Sequence, residues 1–260
     1  MAVTHRELAA RLREAIAEGR YRPGDTLPRL EAIADEHGVA YQTVRAAIRL
    51  LRSEGLVESV RRRGTVVLDR ERRRVNRGNL VTRDPARGYV MPAASRSNEP
   101  WQVHGQPHRD VLPIPTRPAE LLDVEPGTEV LRRRRVTSPK DEAPFQLVDT
   151  WIPGDVVADA PRVAEAETGP GGYLDRLEDA GHGPLSWTEH LRVRMPTPEE
   201  AREVRISTAM PVMEIARVGT SATTTTPVEV TICVIPADRI EVITPLRRAR
   251  SARWPREEPP

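Results

Sequence analysis

Apolar residues near the start of the chain recur at helical spacing and predict an opening helix. Its apolar side comprises Leu8, Leu12, Ala15 and Ile16. Thr4 followed by Glu7 three residues later is the pattern of a capping box, which places the start of the helix just after Thr4. Gly19 ends the helix, and a connector rich in turn residues follows, YRPGDTLP.

Two further short helices are predicted, separated by a tight turn that contains Gly38. The second covers residues 30–37, and its apolar side comprises Leu30, Ile33 and Ala34. The third covers residues 40–53, and its apolar stripe comprises Val44, Ala47, Ile48 and Leu51. The remaining surface of the third helix is polar and comprises Tyr41, Gln42, Thr43, Arg45 and Arg49. Two short helices joined by a glycine turn are typical of a helix-turn-helix, whose second helix enters the major groove.

A predicted hairpin follows the third helix. Its strands are residues 56–60 and 65–68, and its turn is Arg61-Arg62-Arg63-Gly64. Taken singly, a polar helix face is usually solvated and a run of arginines is usually an exposed turn. Three helices, a hairpin and a basic tip in this order are, however, the arrangement of a winged helix-turn-helix. The order therefore favours a DNA-binding domain over residues 1–69.

Charge along the chain supports this interpretation. The net charge of the whole chain is only +2, but residues 40–75 contain ten arginines and four acidic residues. A local excess of this kind is typical of a surface that meets phosphates. Thr43 suits a phosphate or base contact, Gln42 can pair with adenine, and Arg45 and Arg49 suit guanine or phosphate.

The second half of the chain predicts a mixed α and β domain. Residues 130–136, 145–152 and 228–235 have the pattern of strands. A helix is predicted from residue 197 onwards, because Thr197, Pro198 and Glu200 supply a cap, a first-turn proline and a capping-box acid. We divide the chain into a DNA-binding domain (1–69), a linker with the start of the second domain (70–99), the second domain (100–246) and a tail expected to be disordered (247–260).

Several classes of protein and site are not expected. The amphipathic, charged N-terminus lacks the apolar stretch of a secretory signal, and no segment resembles a membrane span, so a cytoplasmic protein is predicted. Cys233 is the only cysteine and is expected to be a structural strand residue. The spacing of four histidines does not suggest a metal site: His104, His108, His182 and His190. Neither a metal nor a cofactor is predicted.

The N-terminal segment closely resembles the DNA-binding domain of the GntR family, over about residues 8–67. The resemblance lies in the PGDTLP connector, the core GVAYQTVRAAIRLLRSEGLV and the GT after the wing. It implies that Thr43 and Arg45 contact the operator. Leu30 and Glu31 stand where the family usually has a glutamate-arginine pair, the nearest arginine being Arg29, and Tyr41 replaces an arginine that usually opens the recognition helix. We therefore predict no operator sequence.

The second half resembles the UTRA domain of the HutC-type branch of GntR regulators, over about residues 77–245. The resemblance is carried by segments such as PAELLDVEPGTEVLRRRRV, TGPGGYLDRLEDAGHGP and TPVEVTICVIPADRIEV. It implies a fold like that of chorismate lyase, dimerisation through this domain and a small ligand that alters operator affinity. The predicted fold class is thus α+β, with a winged helix-turn-helix domain followed by a chorismate-lyase-like α/β effector domain.

A ligand site is predicted on the strand LRRRR. Side chains alternate along a strand, so Leu131, Arg133 and Arg135 share one face, where a row of arginines suits a carboxylate or phosphate. The resemblance implies that arginines of this strand and Glu229 line the pocket. Thr150 and Tyr173 are added because loops are expected to surround the cavity there. The alternative is that these arginines are solvated or paired with acids.

Three functions are compatible with these observations to different degrees. The first is a repressor that binds a palindromic operator in double-stranded DNA as a homodimer and responds to a small, anionic effector. The second is a regulator of the same fold without a small-molecule response, as in replicon or mobile-element control. The third is a lyase-like enzyme, for which the sequence offers no nucleophile-base pair, glycine-rich cofactor loop or metal constellation.

Overall fold

The computed structural model describes residues 3–60, 62–68, 73–76, 81–84, 88–91, 99–246, 248–249 and 252. Arg61 of the predicted wing lies outside the described residues, as does most of the tail predicted to be disordered.

The N-terminal domain consists of three helices and a hairpin. Helices α1 (His5–Ala17), α2 (Leu30–His37) and α3 (Tyr41–Ser53) are followed by the antiparallel strands β1 (Val57–Val60) and β2 (Gly64–Val67). The capping box of α1 is confirmed, because Glu7 N donates to Thr4 Oγ1 over 3.2 Å and Thr4 N donates to Glu7 Oε2 over 2.8 Å. Gly38 ends α2 with φ of 62°, a left-handed conformation in which glycine carries no Cβ penalty.

One apolar core holds the three helices together. It includes the predicted stripe of α3 in full, and its buried members include Leu8, Leu12, Leu27, Ile33, Val44, Ala47, Ile48, Leu51, Leu56, Val57 and Val67. The predicted inner residues Ile16, Leu30 and Ala34 pack at the margin of this core and stay partly exposed. At the end of α3, Glu54 Oε1 accepts a 2.7 Å bond from Arg13 Nη2 of α1.

The connector between α1 and α2 supports the wing. Leu27 N donates to Thr65 O over 2.7 Å, and Val67 N donates to Asp25 O over 2.8 Å. Gly64 has φ of 101°, and a Cβ on it would lie 3.2 Å from Thr26 Cγ2. The chain thus requires glycine here, both for its backbone conformation and for the close approach of the connector.

Three short strands occupy the segment predicted as a linker. They are β3 (Arg73–Asn76), β4 (Thr82–Asp84) and β5 (Gly88–Val90). β4 and β5 form a hairpin, whereas β3 pairs in parallel with the last strand of the chain, β12 (Ile240–Ile243). Residues 73–76 are therefore built into the second domain.

The second domain is a six-stranded antiparallel sheet in the order β6-β7-β8-β11-β10-β9. The strands are β6 (Trp101–Pro113), β7 (Glu129–Pro139), β8 (Gln146–Ile152), β9 (Leu185–Arg194), β10 (Val212–Ser221) and β11 (Pro227–Pro236). Four short helices connect them: α4 (Thr116–Leu122), α5 (Gly154–Asp159), α6 (Gly172–Leu177) and α7 (Pro198–Glu203). The capping box predicted at Thr197 is confirmed at the start of α7.

The two faces of the sheet carry different cores. Val130, Trp151 and Val230 belong to the core that also contains Ala119 and Leu122 of α4. On the opposite face, Leu131 and Ile152 pack with residues of α5 and α6. A third apolar cluster lies on that same face where β3 and β12 cover it, and comprises Val75, Phe145, Ile215, Ile235 and Ile240. The central part of the face, between these two clusters, is polar.

Candidate nucleic-acid interface and ligand site

The exposed side of α3 carries the polar residues predicted to meet DNA. Gln42, Arg45 and Arg49 are exposed and form what we call the basic face of α3, whereas the opposite side of the helix is buried. Tyr41 is also exposed and Thr43 is half-buried. Ala40 caps the helix without a side-chain hydrogen bond, so backbone N–H groups of the first turn are available to a phosphate.

The arginines of this face have no acidic neighbour bound to them. Within the part of the chain that the structure describes, neither Arg45 nor Arg49 takes part in an ion pair or a side-chain hydrogen bond. Other arginines are paired, as Arg13 is with Glu54 and Arg134 is with Asp149. An exposed, unpaired guanidinium one helical turn from another is suited to phosphate and guanine contacts.

The wing and the start of α2 carry the remaining predicted DNA contacts. Arg62 is exposed with φ of 68°, and Gly64 follows at the start of β2. Arg63 is exposed too, but its Nη2 donates to the carbonyl of Gly24 over 3.1 Å, which fixes it against the connector. Arg29 lies on a different element from the basic face, at the N-cap of α2.

In the second domain, three predicted ligand residues meet in one hydrogen-bonded group. Thr231 Oγ1 donates to Glu229 Oε2 over 2.9 Å and lies 2.8 Å from Thr150 Oγ1. The hydroxyl of Tyr173 lies 3.1 Å from Thr231 Oγ1 and 3.3 Å from Glu229 Oε2. We call Thr150, Tyr173, Glu229 and Thr231 the polar cluster. Thr231 was missed, although period-two spacing from Glu229 on the same strand would have found it.

The positions of Thr150 and Tyr173 differ from the prediction. Thr150 lies within β8 and Tyr173 lies in α6, so neither belongs to a loop around a cavity. The expectation was wrong because β8 sits inside the sheet, beside β11, and α6 packs onto the sheet face above it.

Two arginines of β7 adjoin the polar cluster. The guanidinium of Arg133 lies 5.8 Å from the ring of Tyr173, and it donates to the carbonyls of Val163 and Glu165. Arg135 is exposed and lies two residues along the same strand face. Burial lowers the pKa of Arg133, and the nearby positive charge of Arg135 lowers it further. An anion beside this pair would relieve their repulsion.

Glu229 is fully buried, and burial raises its pKa to about 7 against the opposing effects of Thr231 and Arg217. Among the described residues its Oε1 and the Nε1 of Trp187 lack a well-aligned hydrogen bond, but the two groups lie close enough that the indole N–H lowers the pKa of Glu229. A Cβ on Gly219 would lie 2.7 Å from that oxygen, so glycine makes the room for it. The cluster therefore offers a buried acceptor beside a pair of arginines, which suits a ligand with both a hydroxyl and an anionic group.

The other arginines of β7 have structural partners. Arg134 makes two 2.7 Å bonds to Asp149, and Arg132 pairs with Asp110 at 3.1 Å. They lie on the sheet face opposite Arg133, which confirms the predicted alternation. Arg132 and Arg134, which were not predicted as ligand residues, are therefore paired with acids.

Two of the four histidines considered for metal binding, His104 and His182, contact other polar side chains. Within the described residues, no group of three or more His, Cys, Asp and Glu side chains has the arrangement of a metal site. His104 lies 2.8 Å from Ser138 Oγ, and His182 lies 3.3 Å from Asp159. Both His104 and His108 lie in the strand β6, on either side of a register shift. In the same part of the chain, no helix is long and apolar enough to cross a membrane.

Comparison with known families agrees with this two-part architecture. Residues 4–67 match the family described as bacterial regulatory proteins, gntR family. Residues 108–241 match the UTRA domain. The chain belongs to the GntR family. Its N-terminal domain is the GntR DNA-binding domain, and its second domain is a UTRA domain.

Individual relatives of this GntR regulator are transcriptional regulators, and the alignments cover most of both chains. The mannosyl-D-glycerate transport/metabolism system repressor MngR of Escherichia coli K12 is 29% identical over 81% of this chain and 82% of its own. An HTH-type transcriptional regulator of Streptomyces coelicolor is 28% identical over 82% of this chain and 81% of its own. A solved GntR-family regulator aligns over 94% of this chain and 98% of its own, with a TM-score of 0.58 and 27% identity.

These matches rule against the third function considered from the sequence, a lyase-like enzyme. The protein is a DNA-binding transcriptional regulator with an α+β fold, and its relatives are regulators, not enzymes. The polar cluster is accordingly interpreted as a binding site and not as a catalytic one.

Proposed function

We propose that this GntR regulator is a cytoplasmic repressor that binds a palindromic operator as a homodimer, and that a small anionic effector bound to its UTRA domain changes its operator affinity. The observation that supports DNA binding most directly is the pair of exposed, unpaired arginines, Arg45 and Arg49, on one side of α3. The relative MngR, which carries the name of a repressor, supports repression.

The small size of a single DNA-binding unit supports a dimer. One recognition helix reads only a few base pairs, and two-fold symmetry doubles the contact with matching half-sites about one helical turn apart. The operator then mirrors the symmetry of the protein. We assign dimerisation to the UTRA domain, so that a change in that domain alters the distance between the two recognition helices.

The chemistry of the polar cluster supports an effector with an acidic group and several hydroxyls. Arg133 and Arg135 suit a carboxylate or phosphate, and Oε1 of Glu229, which lacks a well-aligned hydrogen bond among the described residues, suits a hydroxyl donor. Mannosyl-D-glycerate, which the name of MngR mentions, has both kinds of group. It is therefore a sensible first probe, together with sugar phosphates and hydroxy acids.

DNA binding is tested with Arg45→Ala, measured on the DNA upstream of the gene and on scrambled DNA across a salt series. We expect at least about a fivefold loss of affinity, since a good bidentate base contact is worth about 1–3 kcal/mol, and a smaller salt slope if the contact is to phosphate. Arg6→Ala, an exposed arginine on α1, is the matched control and should bind as the wild type does. Equal binding by both variants would contradict the role of α3.

The effector response is tested by thermal shift with the probe compounds on the wild type, Glu229→Met and Arg133→Met. A ligand that stabilises the wild type and weakens or strengthens its operator binding should lose both effects in the two variants. Arg162→Met, a half-exposed arginine outside the polar cluster, is the control. If no probe shifts the wild type while operator binding is intact, the regulator without a small-molecule response is the better description.

A further inference from the structure

Arg73, the first residue of β3, is enclosed by charged and aromatic partners. Its side chain is 8% exposed. Its Nη1 donates to both carboxylate oxygens of Glu99, over 3.0 and 2.7 Å, and its Nη2 donates to Glu142 Oε1 over 2.6 Å. Its guanidinium carbon lies 6.0 Å from the ring of Trp101 and 5.5 Å from that of Phe145. Charge-assisted bonds and cation–π contacts of this kind are strongest where water is excluded.

Arg73 lies in the chain segment that links the DNA-binding domain to the UTRA domain. The wing ends at Val67, so Arg73 stands only a few residues after the DNA-binding domain. Glu99 lies just before β6, at the far end of the predicted linker, and Glu142 lies in the turn between β7 and β8. One side chain thus fixes both ends of the linker to the UTRA domain.

The next residue gives a contrast within the same strand. Arg74 is 74% exposed and pairs with Glu241, which is itself 47% exposed. Exposed pairs of this kind contribute little, because solvent already stabilises both charges. Arg73 and Arg74 therefore differ in burial and partners while sharing residue type and location.

The strand that Arg73 begins also contacts the core next to the polar cluster. Val75 packs in the apolar cluster with Ile215. Ile215 precedes Arg217 by two residues on one face of β10, and Arg217 is paired with Thr231 of the polar cluster in the sheet register. Residues adjacent on one sheet face thus lead from the polar cluster to the apolar cluster that contains Val75.

We propose that Arg73 is a positioning residue that holds the linker on the UTRA domain and so sets the placement of the DNA-binding domain. This inference builds on the proposed function, since it concerns how a ligand in the polar cluster would reach the operator-binding surface. Coupling between distant sites is commonly carried by packed elements between them, and β3 joins the core beside the polar cluster to the segment that follows the wing.

The test compares full-length Arg73→Met with Arg74→Met by amide hydrogen exchange and by DNA binding. In Arg73→Met, the amide hydrogens of residues 73–76 should exchange with solvent at least about tenfold faster than in Arg74→Met, because the substitution removes buried charge-assisted bonds. The Arg73→Met protein should bind upstream DNA at least about fivefold more weakly, since the two recognition helices are no longer held at half-site spacing. Its binding to scrambled DNA should be unchanged, because α3 is intact.

Other outcomes separate the possible failures. Equal exchange in the two variants would overturn the positioning role, and faster exchange with unchanged operator binding would overturn the coupling. A misfolded Arg73→Met would lose binding to both DNAs, in which case Arg73→Lys, which keeps the charge and loses the planar fork, is used with the same criteria. If the wild type itself does not prefer its upstream DNA, the proposed function fails, and exchange at β3 alone decides the role of Arg73.

Discussion

Replacing Glu229 by glutamine should change how the stability of the UTRA domain depends on pH. Glu229 is 0% exposed, and burial is the main reason that its pKa rises from the ordinary value of 4.5 to about 7. The folded protein therefore favours the protonated carboxyl, whereas the unfolded chain ionises it readily. Glutamine has nearly the same shape as the protonated side chain and does not titrate.

The magnitude follows from the difference between the two pKa values. One pKa unit corresponds to about 1.4 kcal/mol, so the shift is worth about 3 kcal/mol in all. Because the folded pKa is raised, this stability is fully present below about pH 4.5 and is lost as the pH rises through about 7. Between about pH 5 and about pH 8 the loss amounts to roughly 2–3 kcal/mol.

Tryptophan fluorescence during urea unfolding is a suitable assay. Three of the four tryptophans, Trp101, Trp151 and Trp187, lie in the second domain, Trp254 lies in the tail, and the DNA-binding domain contains none, so the change in fluorescence mainly follows the unfolding of the UTRA domain. The free energy of unfolding of Glu229→Gln, relative to the wild type, should rise by roughly 2–3 kcal/mol from about pH 5 to about pH 8. The exposed Glu125→Gln is the control and should keep the slope of the wild type.

A constant difference between Glu229→Gln and the wild type over this pH range would refute the reasoning. It would mean that Glu229 stays ionised in the folded protein, stabilised by Arg217 or by the donors of the polar cluster. The proposal of a hydroxyl donor as its ligand would then gain support, because an ionised carboxylate accepts hydrogen bonds more strongly.

Three further changes test the packing of the two domains. Leu51→Ala removes a fully buried side chain of α3 and should lower the stability of the DNA-binding domain by about 2–5 kcal/mol, measured by circular dichroism during thermal unfolding; a loss below about 1 kcal/mol would contradict the assigned core. Gly38→Ala places a Cβ at φ of 62° and should cost about 1 kcal/mol in the same assay, with no cost if the left-handed cap is incorrect. Asp149→Ala leaves Arg134 largely buried beside a lost partner and should cost about 3–5 kcal/mol in urea unfolding of the UTRA domain; a neutral result would show that Glu199 alone satisfies that charge.

Features encoded over short stretches of sequence were predicted closely. The capping boxes at Thr4 and Thr197, the left-handed cap at Gly38 and the buried stripe of α3 all appear in the structure. Each depends on residues within one or two helical turns, where spacing alone decides which side chains meet. The alternation along β7 was predictable for the same reason.

Contacts between distant segments were predicted only in part. Glu229 and Arg133 were named from the resemblance to the UTRA domain, and Tyr173 from its expected place in a loop, but the hydrogen bond that joins Thr150 to Thr231 spans 81 positions of the chain. They exist because the sheet order places β8 beside β11. Nothing in the local pattern of either strand specifies that neighbour.

By itself, the sequence determined that the chain begins with a winged helix-turn-helix and continues into a mixed α and β domain, because caps, periodicity and charge runs are local properties. Only the tertiary structure decided which of the many arginines are paired and which are not. Arg45 and Arg73 look alike in the sequence, yet one is exposed on α3 and the other is enclosed by Glu99 and Glu142. The physical reason is that the surroundings of a charge are set by chain segments far from it in sequence, and these meet only when the sheet and the linker have packed.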